Sequence, residues 1–276
     1  MILVTGATGD VGRHVIDGLL EADQPVRALV RDPARARLPA GVEVAPGDLT
    51  DTDTLRSAVK GVDKVFLILA DGGAEPIRAA LGTGTGHVVV LSGRNASEEF
   101  DNPLRGKYVE GEAAVRESGV PATVLQPNAF ASLALHWAPS IQAAGVVPAP
   151  FPEMAIPVID PYDVAAVAVA VLTDDRHIGS TYVMSGPEAL TVRERAKIIG
   201  EVIGRELRVA EMTADEYVTI LKAHLGEYFA RAVVGLDQHF STHPPSVVPT
   251  VQQVLGRPAR SFQSWAADHA AAFLGE

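Results

Sequence analysis

Three glycines spaced three residues apart, Gly6, Gly9 and Gly12, lie between the apolar run Ile2-Leu3-Val4 and a stretch with helical periodicity (MILVTGATGDVGRHVIDGLL). Their chemistry is that of the backbone. A strand turning sharply into a helix presents unpaired N–H groups, and with the helix dipole these favour an anion. Gly6 allows the turn, Gly9 lets a pyrophosphate approach the chain, and Gly12 lets the helix close on the sheet. Thr8, Asp10 and Val11 complete that cradle. A dinucleotide is therefore the expected ligand. Its kind is read about 20 residues further on, where an acidic residue would take the ribose hydroxyls. Arg31 stands there, with Arg35 and Arg37 on the next turn. A guanidinium fork suits a 2′-phosphate, so NADP(H) is preferred. NAD(H) is the alternative, because Asp32 follows and would serve a ribose if it turned inward, while Arg31 paired with a surface carboxylate.

Other reactive residue types are sparse. There is no cysteine, hence no thiolate and no disulfide framework. No Gly-x-Ser-x-Gly elbow occurs. His239 and His243 are four apart, but Pro244-Pro245 follows and no third ligand accompanies them, so no metal is expected. The glycine-rich run at 82–86 follows a helix rather than a strand and reads as a loop.

The elements that must hold these residues alternate. Strands are expected at 2–5, 25–30, 42–45, 64–69, 87–92, 122–126 and 181–184. Helices are expected at 11–22, 51–59, 75–81 and 103–118, with another opening at Asp160-Pro161, an N-cap followed by a first-turn proline. VFLIL and HVVVL are apolar at consecutive positions, as parallel strands covered on both faces must be. The first helix carries Val11, Val15, Leu19 and Leu20 on one stripe. The fold class is α/β, a doubly wound parallel sheet of Rossmann type. Residues 1–128 and 160–185 form the dinucleotide-binding part. Residues 129–159 and 186–276 are read as a smaller lobe over the strand ends, irregular first and then mostly helical, with a last helix capped at Ser261.

With 276 residues, 47% of them hydrophobic, the chain suffices for one large unit with such a lobe. A net charge of −11 makes free nucleic acid a poor partner, and no DNA-reading motif appears. The longest apolar run, 164–172, is far short of the roughly 20 residues of a membrane span. No leader is read before the first strand, and a soluble, cytoplasmic protein is expected.

The segments VRALVRDPARA, GDLTD, VFLIL, HVVVLSG, SGVPATVLQPNAF, IDPYDVAAVAVAVL, TYVMSGPEALTVRE and SFQSWAADHAAAF, together with the Gly-x-x-Gly-x-x-Gly turn, resemble the NmrA-like, NAD(P)H-binding family of atypical short-chain dehydrogenases. The resemblance runs over essentially the whole chain. It implies that Asp48 and Leu49 sit by the adenine, although Asp48 also reads as a turn residue capping the next helix. It implies that Leu69, Ala70 and Ser92 line the nicotinamide side. Short-chain dehydrogenases usually carry Tyr-x-x-x-Lys on the helix after the fifth strand, the lysine helping the tyrosine serve as acid or base. Alignment through Glu112 puts Leu104 and Tyr108 at those two places, so the pair is absent. Lys107 and Tyr108 are the candidate catalytic residues left. Neighbours on a helix point about 100° apart and cannot replace residues four apart. Tyr108 reads first as a packing residue, with a donor facing the nicotinamide as the alternative. An arginine common in relatives at the end of the sixth strand is Gln126 here, and Asn128 and Phe130 border the nicotinamide or the substrate.

Two functions fit. One is an NADPH-dependent reductase passing hydride to a quinone-like or conjugated acceptor, whose stabilised anion takes its proton from water. The other is a redox sensor that binds the dinucleotide without turnover and acts through a protein partner. The stretch AAGVVPAPFPEMAIPVI and the helices around Trp137, Tyr217, Tyr228 and Phe229 are read as enclosing an apolar pocket, which favours the reductase and a small apolar or conjugated substrate. A homodimer is left open.

Overall fold

A computed structural model describes residues 1–69, 73–82, 84–97 and 99–275, with backbone only at 224 and 225. Ala70 and Thr83 therefore lie outside the described residues. The first half alternates strand and helix: β1 Ile2–Val4, α1 Asp10–Glu21, β2 Val26–Val30, β3 Glu43–Pro46, α2 Thr52–Ala58, β4 Lys64–Ile68, α3 Ala74–Ala80, β5 His87–Leu91, α4 Pro103–Glu117 and β6 Ala122–Pro127. There follow α5 Ala138–Ala144, β7 Val146–Ala149, α6 Pro161–Thr173, β8 Thr181–Met184, α7 Val192–Ile203 and β9 Arg208–Glu211. The chain closes with α8 Ala214–Leu225, α9 Glu227–Thr242, α10 Thr250–Leu255, α11 Phe262–Asp268 and α12 Ala270–Leu274. Each expected strand and helix in the first half is found within a residue or so of its expected bounds.

The main sheet runs β3-β2-β1-β4-β5-β6-β8, parallel throughout. Strand order reverses between β1 and β4, which opens a crevice at their C-terminal ends. Side chains alternate between two cores, as the period of a strand demands. Ile2, Val4, Phe66, Val89 and Leu91 pack under α1 and α6, while Leu3, Val65, Leu67, Val88 and Val90 pack under α2, α3 and α4. Ile16, not Leu20, completes the buried stripe of α1; Leu20 is half-buried.

A further apolar cluster joins Trp137, Ile141, Met154, Val192, Ile199, Phe240, Phe262 and Trp265. Here the structure corrects the sequence reading in two places. Residues expected to be irregular or helical form a small parallel sheet of β7 and β9. Both strands have four residues, and Pro148 interrupts the apolar pattern of one, so neither leaves a period-2 signal long enough to read. The last helix does start at Ser261, whose hydroxyl accepts from the Ser264 N–H at 3.1 Å, but it breaks at His269 into α11 and α12. Asp160 caps α6 as expected, accepting from Tyr162 N–H at 2.9 Å. Asp163, fully buried one turn on, holds Arg257 and the Arg260 backbone, which ties the C-terminal segment to α6.

Candidate functional site

The site is built where β1, β4, β5 and β6 end. Gly6 has φ +60°, a left-handed conformation that also lies too close to Ile68 for a side chain. A Cβ on Gly12 would stand 2.1 Å from the Gly6 carbonyl oxygen, so only glycine lets α1 start this near the turn. Gly9 is the N-cap of α1, in extended backbone with no side-chain cap. A Cβ there would meet only the Gly6 oxygen, at 3.3 Å, and otherwise open space. Gly9 N–H bonds that same oxygen at 3.0 Å, and the Gly9 carbonyl accepts from Arg13. The N–H groups of Asp10, Val11 and Gly12 have no acceptor among the described residues. The Asp10 carboxylate turns aside to Arg13, 3.5 Å away, and Thr8 is exposed. The result is a bare helix N-terminus facing the crevice, suited to an anion.

Arg31 is exposed at the end of β2 and makes no ion pair among the described residues. Asp32 is engaged with its own turn, accepting from Ala34 N–H at 3.0 Å and lying 3.6 Å from Arg35. Arg31 instead acts on Asp48, whose carboxyl is held below its ordinary range mainly by the Thr50 N–H and hydroxyl, with a smaller contribution from Arg31. Asp48 is thus a turn residue, but the cap of α2 is Asp51, which accepts from the N–H groups of Asp53 and Thr54. Leu49 is half-buried against the core beneath α2. Leu69 is buried, its side chain under α4 where Gly111 has no Cβ to obstruct it, which leaves only its backbone toward the crevice.

At the ends of β5 and β6 a partly buried polar chain runs through α4. Ser92 Oγ donates to Glu112 at 2.5 Å, Gln126 Nε2 donates to the same carboxylate at 2.9 Å, and Ser97 Oγ donates to Gln126 at 2.8 Å. Gln126 is therefore held in the scaffold, and Glu112 is the residue that organises the strand ends. Asn128 is 4% exposed, and its Nδ2 has no partner. That amide and Asn95 Nδ2, also buried and without a partner, are donors left over at this edge. The Tyr108 ring lies on Gly93, where a Cβ would come within 2.6 Å of it. Lys107 Nζ sits 5.5 Å from the centre of that ring, so the two neighbours come together although their helix directions diverge.

Ser92, Asn128, Tyr108, Lys107, Phe130 and Trp137 all face one cavity of about 610 Å³, as does Leu104 at the place of the family's tyrosine. Tyr217 and Phe229 line it too, but Tyr228 is 66% exposed and does not. Residues unread in the sequence complete its helical wall: Arg195 on α7 and Asp237 on α9. A signal for both existed. Val192, Arg195, Ala196 and Ile199 share one face of α7, and Val233, Leu236, Asp237 and Phe240 share one face of α9. Each charge therefore interrupts an apolar stripe. His239 and His243 stack at 4.8 Å, and among the described residues no group of three or more His, Asp or Glu is placed to hold a metal. No helix among those residues is long and apolar enough to cross a membrane.

Comparison with known proteins follows the same lines. The profile of the NmrA-like family matches residues 1–263, and the chain belongs to that family. It is 44% identical over 284 residues to a (4-alkanoyl-5-oxo-2,5-dihydrofuran-3-yl)methyl phosphate reductase of Streptomyces griseus, with all of both chains covered. It is 38% identical to an NAD(P)H azoreductase of Xenophilus azovorans, over 99% of each. A solved NADPH-dependent quinone oxidoreductase of Escherichia coli, in complex with NADPH, superposes with a TM-score of 0.84 at 25% identity, covering 97% of this chain and 99% of the other.

Proposed function

We propose that the protein is an NADPH-dependent reductase that transfers hydride to quinone-like or conjugated acceptors without a tyrosine acid. The observation that carries this reading is a cavity at the strand ends, apolar and aromatic along most of its wall, beside a bare helix N-terminus. Residues 1–128 and 160–185 would hold the dinucleotide, and 129–159 with 186–276 the substrate.

The residues present fit such a cofactor. The open face of Gly9 admits a pyrophosphate, and the free N–H groups of Asp10, Val11 and Gly12 supply hydrogen bonds to it. Arg31 would take the 2′-phosphate, Asp48 and Leu49 would border the adenine, and Asn128 would offer its unpartnered amide to the nicotinamide side. The reduced nicotinamide supplies a hydride when bound. Around it, Ser92 has its proton engaged by Glu112, so that hydroxyl is not offered as an acid to a substrate oxygen. Acceptors that tolerate this are those whose product anion is delocalised. A quinone is one. The conjugated furanone named for the Streptomyces griseus relative is another, because an anion beside its two carbonyls is spread over both. The Trp137 and Phe130 side chains exclude water and give such a planar acceptor a flat apolar surface.

NADPH and NADH binding by calorimetry, followed by loss of NADPH absorbance with 1,4-naphthoquinone and with a saturated ketone, tests the reading. Oxidation is expected with the quinone, and a ketone rate lower by about 10²–10⁴, the usual contribution of a positioned acid. Tight NADPH binding with no oxidation by any acceptor would instead fit a sensor working through a protein partner.

A further inference from the structure

Arg195 is 5% exposed and its guanidinium carbon lies 5.3 Å from the centre of the Trp137 ring. Its Nε has no hydrogen-bond partner, and no ion pair or side-chain hydrogen bond engages the group among the described residues. Asp237 faces the same cavity, close enough to interact with Arg195 through space but not in contact with it. A buried charge is costly unless something pairs it. An apolar residue at either position would have continued the stripe of its helix. The geometry is that of a recognition group waiting for an acceptor.

We propose that Arg195, with Asp237 beside it, anchors an acidic substituent of the substrate, a carboxylate, sulfonate or phosphate, on the helical wall away from the strand ends. This rests on the reading of the cavity as the reductase pocket. A neutral carbonyl would satisfy a donor but not the charge. Burial pushes Asp237 up to about 7, so near neutrality its carboxyl only partly offsets Arg195, which burial lowers only to about 10 and leaves cationic. The remaining titratable groups on the cavity do not supply the missing anion. The Tyr217 phenol from α8 is pushed up by burial and by Asp237, Tyr108 is a second phenol, and Arg94, Lys107 and His136 are basic residues. An incoming anion takes the place that Asp237 fills incompletely. Planar bidentate pairing to Arg195 is the geometry a carboxylate or phosphate offers.

The test compares a naphthoquinone carrying a carboxylate-terminated chain with its methyl ester. The parent protein is expected to favour the acid by at least about tenfold in kcat/KM, the effect of one charged hydrogen-bond pair. Arg195→Met should collapse that ratio toward one while NADPH affinity stays unchanged, and Arg195→Lys should restore part of it. An unchanged acid-to-ester ratio in Arg195→Met overturns the anchor. If neither quinone oxidises NADPH, the reductase reading fails by itself and the anchor is read from binding alone. Calorimetry of a naphthalene-alkanoic acid against its amide, with NADP⁺ present, should then show the acid bound tighter, and that preference lost in Arg195→Met. Equal binding of acid and amide overturns it. Should Arg195→Met fail to fold, the parent and Arg195→Lys carry the same comparisons.

Discussion

Replacing Gly9 by Val and Gly12 by Ala separates the fold of the turn from its use. At Gly12 the new Cβ would stand 2.1 Å from the Gly6 oxygen, against the roughly 3.3 Å at which carbon and oxygen normally approach. Turn and helix must part by about an ångström, and overpacking of that kind costs about 1–3 kcal/mol. At about 2–4 °C per kcal/mol for a chain of this size class, thermal unfolding should drop by roughly 2–12 °C. NADPH affinity should fall as well, because the N–H groups move with the helix. At Gly9 the backbone is φ −86°, ψ 175°, a conformation valine adopts readily, and only one atom lies near the new side chain. Poorer capping is partly offset by a stiffer unfolded chain, so stability should change by less than about 1 kcal/mol. The branched side chain would nevertheless occupy the open face where phosphate must approach. Loss of even one charge-assisted hydrogen bond weakens NADPH by about 1.5–3 kcal/mol, roughly ten- to a hundredfold. Thermal unfolding of the unliganded protein and NADPH calorimetry give both numbers for both variants. Wild-type NADPH affinity in folded Gly9→Val, or wild-type thermal stability in Gly12→Ala, would refute the reasoning.

Arg31→Ala should weaken NADPH by about 1–3 kcal/mol and leave NADH nearly unchanged; equal losses in calorimetry would remove Arg31 from 2′-phosphate recognition. Tyr108→Phe should keep quinone turnover within about tenfold of the parent, whereas a fall of 10²–10⁴ with NADPH binding intact would make Tyr108 a relocated acid. Asp237 has a folded value of about 7, above its ordinary 3.8, so between those pH values the folded state keeps a proton that the unfolded state releases. Its contribution to stability is therefore lost as pH rises through that window. Asp237→Asn should gain stability relative to the parent from about pH 4 to about pH 7 and no further above it, as read by urea unfolding. A gap independent of pH would show that Asp237 titrates normally.

What the sequence disclosed and what it withheld divide along physical lines. Strands covered on both faces are continuous apolar runs, so VFLIL and HVVVL could be placed, and the glycine turn announced itself because α1 cannot start there with any side chain at position 12. The four-residue β7 and β9 have too few alternations to register. Glu112 was used to align α4, yet its bonds to Ser92 and Gln126 join residues 20 and 14 positions away, and no spacing rule connects them. Tyr228 and Phe229 are adjacent aromatics of equal promise in a sequence, and only the orientation of α9 sends one to the cavity and the other to solvent. Arg195 and Asp237 stood at stripe positions of their helices. A charge breaking an apolar stripe is the signal that would have found them.

Direct hydride transfer to a conjugated carbon is the centre of this account, and NADPH deuterated at the transferred position tests it. With a 3-acyl-2(5H)-furanone as acceptor, proton and deuterium NMR of the product should show one deuterium on the ring carbon that was conjugated to both carbonyls, and solvent hydrogen on the carbon between them. No NADPH consumption, or a product whose new ring hydrogens both come from water, would contradict it.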